Sequence, residues 1–289
     1  MSAVEVAARP VPQPRPAGGT ARLLRSELGM VFRRRRNQVI LAVLAAVPVL
    51  IAVAVRLAAP PDDPADGPPF LFAIAGNGVF VALTSLTVVL PLFLPLAVAV
   101  VAGDSVAGEA SLGTLRYLLV VPVSRTRMLL VKYAGAVAYC LVAALTVGAV
   151  GAGIGALLFP VGPVTLLSGS QVPLGSGLLR VALVALYVAA MMAGLAAIGL
   201  FVSTLTESPI AAMATTAVLA VTSQVLDSVP QLDWLHPFLF SHYWLDFGDL
   251  LRDPISFAGP VRGLLVTAAY GLVFGCLAWS RITTKDVSS

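Results

Sequence analysis

Two histidines, His236 and His242, stand among four aspartates (Asp233, Asp246, Asp249 and Asp253) in the stretch QLDWLHPFLFSHYWLDFGDLLRDP. Imidazole and carboxylate can both ligate divalent metals. The His-x5-His spacing matches no recognised ligand pattern, so the sequence leads us to expect no metal site. The lysines offer no phosphate chemistry. A phosphate-gripping loop needs G-x4-G-K-[ST], and Val131 precedes Lys132 while Thr284 precedes Lys285. Cys140 and Cys276 fall inside apolar runs and are expected to pack as small hydrophobes rather than to form a disulfide. No HExxH and no nucleophile–base pair is present, so no catalytic residue is assigned and the chain is not expected to be an enzyme.

The segment that can transmit force is GEASLGTLRYLLVVPVSR, Gly108 to Arg125. From Glu109 to Val120 it suits one short amphipathic helix. At 100° per residue, Leu112, Leu115, Leu118 and Leu119 share a broad face. Glu109, Gly113 and Arg116 form a narrow stripe on the other. Pro122 ends this helix, and Ser124 is placed to cap the next. A rigid helix tied tightly to two membrane spans can turn a sideways push into span movement, which a floppy loop cannot.

The elements that must hold this segment are membrane spans. The chain has 289 residues, 58% hydrophobic and only 11% charged, against about 25% charged in soluble domains. Apolar runs near 39–59, 79–102, 131–159, 178–204, 209–226 and 261–280 each reach the roughly 20 residues that a bilayer core of about 30 Å requires. Unbroken runs of this length are helices rather than barrel strands. No cleavable signal peptide is expected, because the first run starts late and is itself of span length.

Charge sets the expected orientation. With the N-terminus inside, fourteen of the eighteen Lys and Arg fall on the inner side, including eight arginines before the first span. Eight of the fourteen acidic residues then fall outside. The net charge of +4 is thereby an inside-positive membrane signature rather than a footprint for nucleic acid. Residues 1–19, Pro- and Ala-rich, are expected to be a disordered tail. Residues 20–38 carry Leu23, Leu24, Leu28, Val31 and Phe32 at helical spacing between arginines, the pattern of a helix lying on the membrane surface.

Within the spans, Pro91 and Pro95 each remove a helical hydrogen bond and predict a kink. Gly151 and Gly155 form a small-xxx-small pair suited to close helix packing. Thr84, Ser85, Thr87, Thr215, Thr216, Thr222, Ser223 and Gln224 suit bonds between helices better than a substrate path. The span interiors contain no ionisable side chain of the kind that an ion-coupled carrier usually needs. In the outer loop 227–260, Trp234, Phe238, Phe240, Tyr243, Trp244 and Phe247 suit the headgroup level, and Pro237 is placed to open a short helix.

The segment from Glu109 to Arg125 resembles the first cytoplasmic loop of the ABC-2-type permeases, the membrane subunits of many bacterial ABC exporters. Their pattern, E-x3-GT-x-x-x-LL-x-x-PV-S-R, is matched by Glu109, Gly113, Thr114, Leu118, Leu119, Pro122, Val123, Ser124 and Arg125. Ala110–Leu112 is more apolar than the usual pattern. The resemblance extends to the layout over nearly the whole chain. It implies an all-α polytopic fold of the ABC-2 (type V exporter-like) kind. That fold has an N-terminal interfacial helix, a six-helix permease domain over 39–280, a coupling loop over 103–130 and a tail over 281–289. Both termini would be cytoplasmic in a bacterial cell membrane. It further implies that Glu109, Gly113, Thr114, Arg116, Pro122 and Arg125 contact a separate ATP-binding subunit, which would hold ATP and Mg. The chain itself would need no cofactor and would pair with a second permease subunit, identical or different. LSGSQ at 167–171 comes near the ABC ATPase signature LSGGQ, but without companion motifs it reads as chance. The implied activity is export of a small amphiphilic molecule such as a drug, antibiotic or lipid. The rival expectations are a membrane scaffold or assembly protein and, more remotely, an ion-coupled carrier.

Overall fold

A backbone surrounded by apolar side chains satisfies its N–H and C=O groups internally, and here it does so almost wholly in helices. The structure is a computed structural model that describes residues 19–58, 69–111 and 124–284. Its helices are α1 (Gly19–Arg33), α2 (Arg35–Ala58), α3 (Pro69–Gly76), α4 (Val79–Val89), α5 (Phe93–Ser111), α6 (Arg125–Leu158), α7 (Leu174–Leu205), α8 (Pro209–Asp227) and α9 (Ala258–Thr284). A two-stranded antiparallel hairpin, β1 (Val164–Thr165) and β2 (Gln171–Val172), joins α6 to α7. Three short 3-10 helices, Pro230–Leu232, His236–Phe238 and His242–Leu251, join α8 to α9.

Six helices among the described residues (α2, α5, α6, α7, α8 and α9) are long and apolar enough to cross a membrane. The protein is a multi-pass membrane protein. Large apolar side chains such as Leu57, Leu157, Ile210 and Leu272 stand exposed around the bundle. A surface of that kind belongs in lipid, because in water it would be a large aggregation-prone patch. Helix α7 is the central post. It packs against α5, α6, α8 and α9, and its Ala-, Gly- and Val-rich faces let those neighbours come close.

The kink predicted by the two prolines is a complete break. Helix α4 stops at Val89, residues 90–92 form a turn, and α5 begins at Phe93. Pro95 has no N–H to offer the Pro91 carbonyl, which would be its helical partner. Gln224 on α8 fills that place, its amide donating to the Pro91 oxygen at 2.7 Å. The expected close packing at Gly151 and Gly155 is also present. A Cβ on Gly151 would lie 2.6 Å from the Ala82 Cα, and one on Gly155 would collide with the Gly78 carbonyl. The α4 and α6 backbones therefore touch, as in small-xxx-small pairs generally.

One boundary differs from expectation. The sequence placed the end of the second span at 102, yet α5 runs on to Ser111, carrying Asp104 and Glu109 inside the helix. Asp104 was taken for loop because it interrupts the apolar run. Pairing with distant charges lets this stretch stay helical. The helix expected from Arg125 into the third span is present as one continuous α6. The LSGSQ segment lies in the β1–β2 hairpin, where Ser168 accepts from the Asp253 amide at 3.1 Å.

Candidate functional site

The site begins at the join of α1 and α2. The sequence runs through Arg33, Arg34, Arg35 and Arg36 into Asn37 and Gln38. The last carbonyls of a helix lack partners within it. Here the Asn37 amide donates to the Val31 carbonyl at 2.8 Å and the Gln38 amide to the Phe32 carbonyl at 3.0 Å. This ends α1 at Arg33 and restarts the chain as α2, so the arginine run is divided between two helices. The Tyr139 hydroxyl of α6 donates to the Asn37 carbonyl at 3.3 Å, and Phe32 packs on the Tyr139 ring. The corner is thereby fixed against α6.

The turn aims Arg34 and Arg36 at Asp104 of α5. Both guanidinium groups bond its Oδ2, Arg36 at 2.8 Å, and Asp104 is only 7% exposed. Gly108, one turn further on, has no side chain because a Cβ there would strike the Asp104 carboxylate. Opposite, Ser203 of α7 enters the α5 hydrogen-bond ladder. Its hydroxyl accepts from the Val106 and Ala107 amides at 3.0 and 2.8 Å and donates to the Gly103 carbonyl at 2.7 Å. Insertions of this kind are a recognised cause of helix bending.

A second centre lies beside the first. Lys132 of α6 is 4% exposed. Its Nζ lies 2.5 Å from Glu109 Oε1 on α5 and 3.7 Å from Glu27 Oε1 on α1. Burial pushes the Glu27 carboxyl above its usual range, partly offset by the ammonium of Lys132. Three cations and three carboxylates thus join α1, α2, α5 and α6 at one end of the bundle. The pairs of Lys132 are buried on both sides, and such pairs are strongly destabilised when one partner is removed.

This lock sits where the chain leaves α5 at Ser111 and re-enters α6 at Ser124. The re-entry is braced as well. Ser124 caps α6 as expected, accepting from the Arg127 amide at 3.4 Å. Arg125 donates to the carbonyls of Ile282 and Thr283 at 2.7 and 3.1 Å, and Trp279 donates to Thr126 at 2.8 Å. The base of the connection is therefore tied to the last helix, α9. The C-terminal half of α1 and the end of α9 lie at this end of the bundle.

Of the residues expected to face a partner subunit, Glu109 and Arg125 are described, and both are engaged within the chain. Gly113, Thr114, Arg116 and Pro122 lie outside the described residues, as does most of the helix expected over Glu109–Val120. Where that helix was expected to begin, Glu109 instead belongs to the last turns of α5. Sequence reasoning missed Glu27, Arg34, Arg36, Asp104 and Lys132 as a set. The available signal was Asp104, an acid within an apolar helical run with a glycine four residues later. A charge in such a run generally has a specific partner.

A family model matches residues 40–288. The chain belongs to the family described as "Protein of unknown function (DUF2705)". The matched stretch contains Asp104, Glu109, Arg125 and Lys132 and starts after Glu27, Arg34 and Arg36. No curated protein matches the chain.

Proposed function

We propose that this DUF2705 chain is the permease subunit of an ATP-driven ABC exporter of small amphiphilic molecules. The observation that carries the reading is the E-x3-GT-x-x-x-LL-x-x-PV-S-R pattern. It falls on a connection between two spans that is braced at both described ends. In this reading the arginine-rich end faces the cytoplasm of a bacterial cell, in accord with the positive-inside bias. A separate ATPase subunit binds ATP and Mg and presses on residues 109–125, and a second permease subunit completes the path. The fold is of the ABC-2 kind.

The chain's own residues supply the transmission. A push on the connection reaches α5 through Glu109 and α6 through Lys132, and α1 follows through Glu27. The break at 90–92 lets the lower part of the second span tilt while α4 stays fixed on α6. Among the described residues, the buried carboxylates and Lys132 lie at the lock, where they brace helices, and the buried Arg180 lies at the opposite end of the bundle, donating to the Leu250 and Arg252 carbonyls. Coupling ions in carriers bind near the midplane instead.

The test is purification from the native host in mild detergent. The expected result is an ABC-type ATPase recovered in stoichiometric amount. Gly113→Pro should abolish transport while the chain still inserts, whereas Glu109→Lys would oppose Lys132 and report on folding as well. Elution of the chain alone under several mild conditions, together with full activity of Gly113→Pro, would refute the reading in favour of a membrane scaffold.

A further inference from the structure

At the opposite end of the bundle, the two histidines of the chain come together with an aspartate that the sequence reading had not joined to them. Asp227 ends α8, His236 opens the second 3-10 helix and His242 opens the third. One ligand atom from each lies within 4.8 Å of the other two. The imidazole rings are 5.7 Å apart, and His242 Nδ1 is 2.6 Å from Asp227 Oδ1. Chain spacing gave no hint of this, because the third ligand comes from the far side of a loop.

We propose that Asp227, His236 and His242 bind a divalent first-row transition ion, zinc first among them. Two imidazoles and one carboxylate are a donor set for zinc, with an open fourth position, and they disfavour the all-oxygen preferences of calcium and magnesium. Ligands about 2.1 Å from a tetrahedral ion stand about 3.4 Å apart. The three atoms need movements of only about an ångström to reach that geometry, smaller than the reach of a side-chain rotation. Both nitrogens of His236 already face oxygens, Nε2 the Val229 carbonyl at 3.2 Å and Nδ1 the Asp233 carboxylate at 3.6 Å. Whichever nitrogen takes the metal, the other has an oxygen to orient the ring, the usual support for a ligating histidine. All three side chains are half-buried, so an ion can enter from solvent and still be shielded.

The ion's role is a staple. The third 3-10 helix packs on α7 and α9, while Asp227 belongs to α8. Apart from the metal, Ser223 and Ser241 make a hydrogen bond of 2.6 Å across the same junction. A bound ion holds the end of α8 to the cap over α7 and α9. The proposal is independent of the transport reading, and its test measures metal alone.

The full chain, purified in detergent without a polyhistidine tag and stripped with chelator, is titrated with Zn²⁺ and separately with Co²⁺ at pH 7.5. The expected result is one ion per chain, with a visible Co²⁺ absorption band. His236→Ala and His242→Ala should each weaken binding by at least about 100-fold, the upper end of what loss of a second-shell partner alone costs. Asp253→Asn, outside the cluster, should bind as the wild type does within a few-fold. Because the chain has only two histidines, bound Zn²⁺ should also protect both from diethylpyrocarbonate, a readout needing no variant. Absence of stoichiometric uptake by the wild type, failure of protection, or unchanged affinity in both histidine variants would overturn the proposal.

Discussion

Replacing Lys132 by methionine removes one charge and nearly preserves shape. Lys132 is 4% exposed, and its partners Glu27 and Glu109 are 11% and 13% exposed at the side chain. Loss of one partner from a buried pair costs about 3–5 kcal/mol. Burial has already raised the Glu27 carboxyl, so it takes up a proton readily once the ammonium is gone and recovers part of the loss. The expected destabilisation is therefore at the low end, about 3 kcal/mol. At 1.36 kcal/mol per decade, release of α1 from the bundle becomes about 100-fold more frequent. Arg22 and Arg25 are exposed on α1, so limited trypsin digestion reads this opening directly, with fragments identified by mass. Cleavage there should accelerate by up to that factor when opening and closing outpace proteolysis. A triple variant that also carries Glu27→Gln and Glu109→Gln leaves no buried charge at this centre and should recover most of the protection. Wild-type protease resistance and thermal stability in Lys132→Met would refute the assignment of the cluster as a lock.

Gln224→Leu should destabilise by about 1 kcal/mol by orphaning the Pro91 carbonyl, measured by thermal unfolding in detergent. Adding Pro95→Ala supplies an N–H to that carbonyl and should cancel the loss. Gly151→Leu should abolish monodisperse elution, since even a Cβ meets the Ala82 backbone, whereas Gly153→Ala, with open space around it, should elute as wild type. Asp104→Asn should cost only about 1 kcal/mol, because both arginines are two-fifths exposed, and that cost should shrink in high salt. If zinc binds as proposed, chelation from a solution holding 100 times the dissociation constant should lower stability by about 2.7 kcal/mol, and His236→Ala should show no such change.

The membrane-spanning helices were legible because each is a run of apolar residues longer than any soluble strand would be. The break near residue 90 was legible from Pro91 and Pro95, the α4–α6 contact from Gly151 and Gly155, and the start of α6 from Ser124. These signals are local, so a few neighbouring residues suffice. The charge lock was not legible. Asp104 is separated from Arg34 by 70 residues, and Lys132 from Glu27 by more than 100. Only the packing of α1 and α5 against α6 brings them together. The same holds for Asp227 and the histidines, whose spacing along the chain looks meaningless until the 3-10 turns fold it into a cluster. Long-range pairing also explains the misplaced end of the second span. A polar residue ends a span only when it must reach water, and Asp104 and Glu109 find counter-charges instead.

The order of charges in the lock has a consequence for biosynthesis. A chain emerging from the ribosome presents its N-terminal residues first. Asp104 reaches the insertion machinery after Arg34 and Arg36, and Lys132 arrives after both Glu27 and Glu109. Each of the two most buried charges therefore enters the membrane when its neutralising partners have already been made. Neither has to wait in lipid for a later helix. A circular permutation that moved α1 and Arg34–Arg36 to the C-terminus would place Glu27, Arg34 and Arg36 after Asp104 and Lys132, leaving only Glu109 ahead of its partner.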